Sequence, residues 1–371
     1  MRRLPLSLLV LAWAAACRPS DDPIRIGVAG PFSQPRGASM KQAARLAERE
    51  INERGGAGGR TIDLVFADDS ARDSVAIRVA QAFQSDRSVA AVVGHLTSGA
   101  TTAAVRVYAG GANPVALVSP SASSPDLSGM SPWFFRICPS DLSHGPRLAR
   151  YARQDLGART AATAYINDDY GRGIRRSFST EFERLGGVVL EEDPALPTTP
   201  SLEPYLSRMR GHGVVGVLVL ATEARMAELA LREMSQLGIR WPVIGGDALV
   251  GIERMGPLAE GMRVSAAYLP DRPGARNEAF VEAYGRAYPG QVPDHRGAGA
   301  YDLVYLLARA IGDVGPDRRA IRDYLASVGG LRPAFEGVTG TIAFDERGDV
   351  PGRAAVIGVV RNGRLVTESA Q

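Results

Sequence analysis

A chain of 371 residues, 45% apolar and 22% charged, can bury a sizeable core, and its length suggests two domains rather than a disordered or fibrous chain. Its 43 basic and 40 acidic residues leave a formal charge of +3, and the bases are dispersed arginines with Lys41 the only lysine. That is no nucleic-acid footprint, which needs clustered bases, so no nucleic-acid partner is expected. Four scattered histidines (His95, His144, His212, His295) and two cysteines show no metal-ligand spacing, so neither a metal nor another cofactor is expected.

The chain opens on an export signal. Arg2-Arg3 is a positive n-region, and Leu6 to Ala16 is an apolar run too short to cross a bilayer as a helix. Ala14-Ala15-Ala16-Cys17 resembles a bacterial lipobox, whose cysteine is acylated and becomes the new N-terminus; the same alanines also fit the A-x-A site of a simply secreted protein. Residues 1–17 therefore read as signal peptide and lipobox, and 18–23 as a polar tether. With Cys17 carrying lipid, Cys138 remains alone in an apolar stretch and reads as a buried, inert thiol.

The first strand is Ile24–Gly30, followed by a loop Pro31–Ser39 and a helix from Met40 to about Arg54, with Ala43, Ala44, Ala47 and Ile51 at helical spacing. Gly55–Gly59 follows a helix and lacks the Lys-Ser/Thr of a phosphate loop, so it reads as a turn. Strand 62–66 leads to Asp68-Asp69; adjacent strand residues point to opposite faces, which makes them a rim or turn feature rather than a catalytic pair. After a helix near 74–85, strand Val89–Val93 runs into Gly94-His95-Leu96-Thr97-Ser98, and strand 114–118 runs into Ser119-Pro120-Ser121-Ala122-Ser123-Ser124. Apolar strands that end in small hydroxyl residues before a helix offer free N–H groups and hydroxyls at the C-terminal sheet edge, where ligands bind. Two such loops side by side point to a carboxylate site, although Ser98 and Ser123 also suit helix N-caps.

Strand 160–166, loop 167–173 and a helix to Leu185 come next, then strand 188–191, helix 202–210, strand 214–220 and helix 224–237. Strand 241–244 precedes Gly245-Gly246-Asp247, and strand 262–268, helices 277–288 and 297–314, and a hairpin-like region at 342–344 and 354–360 complete the chain. This alternation predicts an α/β fold of two doubly wound parallel-sheet lobes. There is no G-x-S-x-G elbow and no nucleophile–base pair at a recognisable spacing, so no enzyme is expected.

Four stretches together resemble the type I periplasmic binding proteins of the leucine/isoleucine/valine-binding branch, the substrate-binding proteins of ABC transporters: Ile26–Ser33, Glu50–Gly56, Val93–Thr101 and Val118–Pro125. Asp168-Asp169-Tyr170-Gly171, Gly245-Gly246-Asp247, Gly299–Asp302 and Gly340–Asp345 agree in order and spacing. The resemblance implies a three-crossover hinge, with 24–141 plus 271–333 in the first lobe, 142–270 plus 334–366 in the second, and 367–371 as a tail. It implies that Ser98 and Ser123 hold a ligand carboxylate, that the Ser121 carbonyl accepts from an ammonium group, that Tyr170 closes over the ligand, and that Asp247 pairs with the α-ammonium. Two positions depart from the pattern. Arg36 and Glu223 stand where the branch tends to carry aromatic residues, which suits a polar or charged ligand better than leucine. The expectation is an exported solute-binding protein, periplasmic or at the cell surface, anchored only through lipid on Cys17 and monomeric. It would deliver an amino acid or related small carboxylate to an ABC permease in the inner membrane. The alternative is a ligand-sensing or envelope-assembly protein on the same fold without a transport role.

Overall fold

Strands that are apolar along their whole length are buried on both faces, and here they form the centres of two parallel sheets. The computed structural model describes residues 22–368; Cys17 with the expected signal peptide, tether residues 18–21 and residues 369–371 lie outside the described residues. In the first lobe, β1 (Ile24–Gly30), β2 (Ile62–Asp68), β3 (Val89–Val93), β4 (Leu117–Ser119) and β5 (Phe134–Arg136) lie in the order β2-β1-β3-β4-β5, parallel throughout. Helices α1 (Pro35–Glu53), α2 (Asp73–Ser85) and α3 (Ser98–Tyr108) connect them. Every residue of β3 is buried, the reason it reads Val-Ala-Ala-Val-Val.

The second lobe begins with α4 (Asp141–Arg150), extended by a π turn at Tyr151–Asp155. It continues through β6 (Thr160–Ile166), α5 (Asp169–Arg184), β7 (Val188–Ala195), α6 (Glu203–Gly211), β8 (Val217–Ala221), α7 (Ala224–Gln236), β9 (Val243–Gly245) and β10 (Arg263–Ala266). The chain then returns to the first lobe with α8 (Ala275–Ala287), α9 (His295–Val314), α10 (Arg318–Ser327) and the hairpin β11 (Phe335–Gly337) and β12 (Gly340–Ile342). Antiparallel strands β13 (Val356–Arg361) and β14 (Arg364–Thr367) finish the second sheet, in the order β14-β13-β10-β9-β8-β6-β7. Among the described residues no helix is long and apolar enough to cross a membrane.

Three differences from the sequence reading have physical causes. Helix α1 starts at Pro35, not Met40, because proline in a first helical turn loses no bond: the N–H it lacks has no intrahelical partner there. Helix α4 escaped the periodicity because Pro146 sits inside it; Ser140 caps it by accepting from the Leu142 N–H. Residues 334–350, expected in the second lobe, pack on the first. Ile342, Phe344 and Val350 join the core that contains Ile26 and Val93, and Phe344 lies 5.1 Å from Phe135 between ring centroids. Asp302 Oδ1 fastens the hairpin by accepting from Val338 N at 2.7 Å. The third crossing therefore falls at 351–355, after this hairpin rather than before it.

Candidate ligand-binding cleft

The loops after β3 and β4 are wired to each other. Ser119 Oγ donates to the His95 carbonyl at 2.7 Å and accepts from Ala122 N at 2.9 Å. Thr97, not Ser98, occupies the N-cap of α3, and Ser124, not Ser123, caps the short turn at Pro125–Leu127. Ser98 is buried and its Oγ accepts from Ser124 N at 3.1 Å. Ser123 is buried too, and its Oγ has no hydrogen-bond partner within the protein. Beneath the loop, Arg136 is fully buried: its Nη1 donates to the Ala122 and Ser124 carbonyls at 3.2 and 2.8 Å, and its Nε to Asp349 Oδ1 at 2.6 Å. Cys138 donates to the same Ala122 carbonyl, and burial pushes its thiol up to about 12.

The second lobe contributes carboxylates. Asp168 caps α5 by accepting from Gly171 N at 2.8 Å, and Tyr170 follows in the first turn of that helix. Tyr170 Oη accepts from Ala248 N at 3.1 Å, and a Cβ on Gly246 would lie 2.2 Å from that oxygen, so only glycine lets the ring in. Asp247 is 2% exposed; its Oδ2 lies 3.7 Å from His295 Nε2, and its Oδ1 has no partner. His295, the first residue of α9, reaches Ser121 Oγ at 3.2 Å with the same nitrogen, so it links the two edges. Asp141, at the start of α4, is fully buried and neither carboxylate oxygen is hydrogen-bonded.

The electrostatics follow from that burial. Desolvation first, and then the charge of Asp247, pushes the Asp141 carboxyl well above the usual range, with the nearby Ser123 hydroxyl working against the rise. Burial and the adjacent Arg296 cation lower His295 to about 4, and burial also lowers His144, so both imidazoles are neutral near pH 7. Two close, buried carboxyl groups facing neutral imidazoles favour a cation between them. Among the described residues, no three His, Cys, Asp or Glu side chains converge in a way that could hold a metal ion.

Two further contacts draw the lobes together at the cleft. Arg36 Nη2 donates to Glu223 Oε2 at 2.8 Å. Arg296 donates to the carbonyls of Asp247, Ala248 and Val250 at 3.3–3.4 Å while pairing with Asp294 at 2.9 Å. The predicted set of Ser98, Ser121, Ser123, Tyr170 and Asp247 thus lies at facing sheet edges, with Arg36 and Glu223 paired across the gap. Sequence reasoning missed Asp141, His295 and Arg296. The available signals were a Ser-Asp start to α4 and polar residues after the Asp294 cap of an otherwise apolar helix. Asp69 and His95 form a buried pair at 2.6 Å, and the other His95 nitrogen faces Tyr108, so His95 is not placed to act as a base on Ser98.

The family model described as Periplasmic binding protein matches residues 23–364. The leucine-, isoleucine-, valine-, threonine- and alanine-binding protein of Pseudomonas aeruginosa is 26% identical over 355 residues, 92% of this chain and 91% of the relative. A Leu/Ile/Val-binding protein homolog of Brucella melitensis is 27% identical over 335 residues, 88% of this chain and 87% of the relative. The crystal structure of an ABC transporter substrate-binding protein from Desulfitobacterium hafniense, in complex with Leu, is 32% identical with a TM-score of 0.80, covering 94% of this chain and all of that one. The chain belongs to the periplasmic binding protein family, in its Leu/Ile/Val-type branch of ABC-transporter substrate-binding proteins, and is not an enzyme.

Proposed function

We propose that this protein captures an amino acid between its lobes, in the periplasm or at the cell surface, and presents it to an ABC permease. One observation carries the reading: Asp247 Oδ1 and both Asp141 carboxylate oxygens are buried with no hydrogen-bond partner in the protein, and Asp247 meets, through His295, the hydroxyl-rich loop of Ser121. The α-carboxylate accepts from the hydroxyls and backbone N–H groups of Ser98 and Ser123. The α-ammonium sits against Asp247 and the Ser121 carbonyl, so that each buried charge meets its opposite. Tyr170 closes the site from the second lobe. Leucine bound to the Desulfitobacterium relative supports an amino acid over other small carboxylates. Closure follows from differential contact, because a ligand that touches both lobes stabilises only the state in which they meet.

Thermal unfolding in the presence of an amino-acid panel tests this. A ligand at a hundred times its Kd adds about 2.7 kcal/mol of stability, and no shift with any amino acid would overturn the reading. Acylation of Cys17 is part of the proposal. Metabolic labelling with a radioactive fatty acid should mark the full-length protein and not its Cys17→Ser variant.

A further inference from the structure

The cleft has a second polar feature beside the serines. Lobe-one strands run β2-β1-β3-β4-β5, with Ser98 after β3, Ser123 after β4 and Arg36 after β1, one strand along. On the facing edge Asp247 follows β9 and Glu223 follows β8, again one strand along. Arg36 and Glu223 meet at 2.8 Å with side chains 26% and 23% exposed, so the pair is largely withdrawn from water where the lobes close. Burial lowers the Arg36 pKa, the paired Glu223 carboxylate opposes that, and the nearby Arg296 cation adds to it.

Resting on the amino-acid reading, we propose that this cross-cleft ion pair selects an amino acid whose side chain ends in a neutral group that both donates and accepts hydrogen bonds, a carboxamide. A hydroxyl also donates and accepts, but from one oxygen, whereas a carboxamide does so from two separate atoms, one for each member of the pair. An aliphatic side chain laid against the pair would strip its remaining water and return no hydrogen bond, leaving buried polar atoms unsatisfied. A carboxylate or ammonium would add an unmatched charge to a site already neutral, which is costlier still. A carboxamide offers its oxygen to the Arg36 guanidinium and its NH2 to the Glu223 carboxylate, and brings no net charge.

Calorimetric titration of the full-length protein with asparagine, leucine, aspartate, glutamine, glutamate and methionine decides it, because asparagine is close in size to leucine and aspartate, and glutamine to glutamate and methionine. The expected result is that at least one amide binds about tenfold or more tighter than both of its counterparts. A smaller advantage, or tighter binding of leucine, overturns this inference and leaves the amino-acid reading standing. Binding of none of the six or of any other amino acid overturns both. The double variant Arg36→Met plus Glu223→Met removes both charges together and so strands neither; cooperative melting and native circular dichroism establish that it folds. In the folded variant the amide preference should fall to within about threefold, and a preference that persists unchanged assigns selection elsewhere.

Discussion

On the first lobe, the loop from Ser119 to Ser124 is held from every side: by Ser119 Oγ from within, by Ser98 Oγ from α3 and by the buried Arg136 from below. On the second, Asp247 leaves one buried oxygen and Asp141 leaves two without a partner. The first edge is a receptor whose shape is set before anything binds, which reduces the ordering required at binding. The second edge carries unmet electrostatic demand, so it gains most from a ligand and is least favourable without one. Substitutions on the first edge should therefore register mainly in folding, and those on the second mainly in binding.

The largest effect should come from Arg136→Ala. It strands the Asp349 carboxylate and frees two loop carbonyls, at about 3–5 kcal/mol of stability; denaturant unfolding measures this, and a loss below about 1 kcal/mol would show the clamp to be incidental. Next comes Asp247→Asn on the opposite edge. Amino-acid affinity should fall by about 2–4 kcal/mol while the ligand-free melting temperature does not fall; a drop in melting temperature would break the comparison. Ser98→Ala and Ser123→Ala separate the two roles within one edge. Ser98→Ala leaves Ser124 N unpaired and should destabilise the fold by about 1 kcal/mol, whereas Ser123→Ala should stay within about 0.5 kcal/mol in folding and weaken binding alone.

The smallest signal is a slope with pH. The Asp141 carboxyl titrates higher in the folded protein than its ordinary value of 3.8, by burial and then by the charge of Asp247. Its protonated form therefore supports folding fully below that ordinary value, and the support is lost as pH rises through the folded value. Without ligand, Asp141→Asn should gain stability relative to the wild type as pH rises above that ordinary value, because the amide does not titrate. Urea titrations at increasing pH check it, and an advantage that shrinks with rising pH would contradict the assignment.

Strand and helix alternation, the two hydroxyl loops and the Gly-Gly-Asp turn were readable because each depends on a few neighbouring residues. Apolar strand runs, helical spacing and the need for small residues at a strand end are local properties, and they were enough for the doubly wound lobes and for the hydroxyl loops that carry Ser98 and Ser123; Tyr170 and Asp247 became candidates only through the family resemblance. Helix α4 and the placement of the 334–350 segment were hidden, the first by Pro146 and the second because its apolar residues could have packed on either lobe. Pairing could not be read at all. Arg36 meets Glu223 across 187 positions, Ser121 meets His295 across 174, and Arg136 meets Asp349 across 213. The sequence by itself determined which residue types stand at the sheet edges. Only the tertiary structure decided which of them are buried, which are satisfied and which face one another, because desolvation and charge pairing belong to the space between distant segments and to no segment alone.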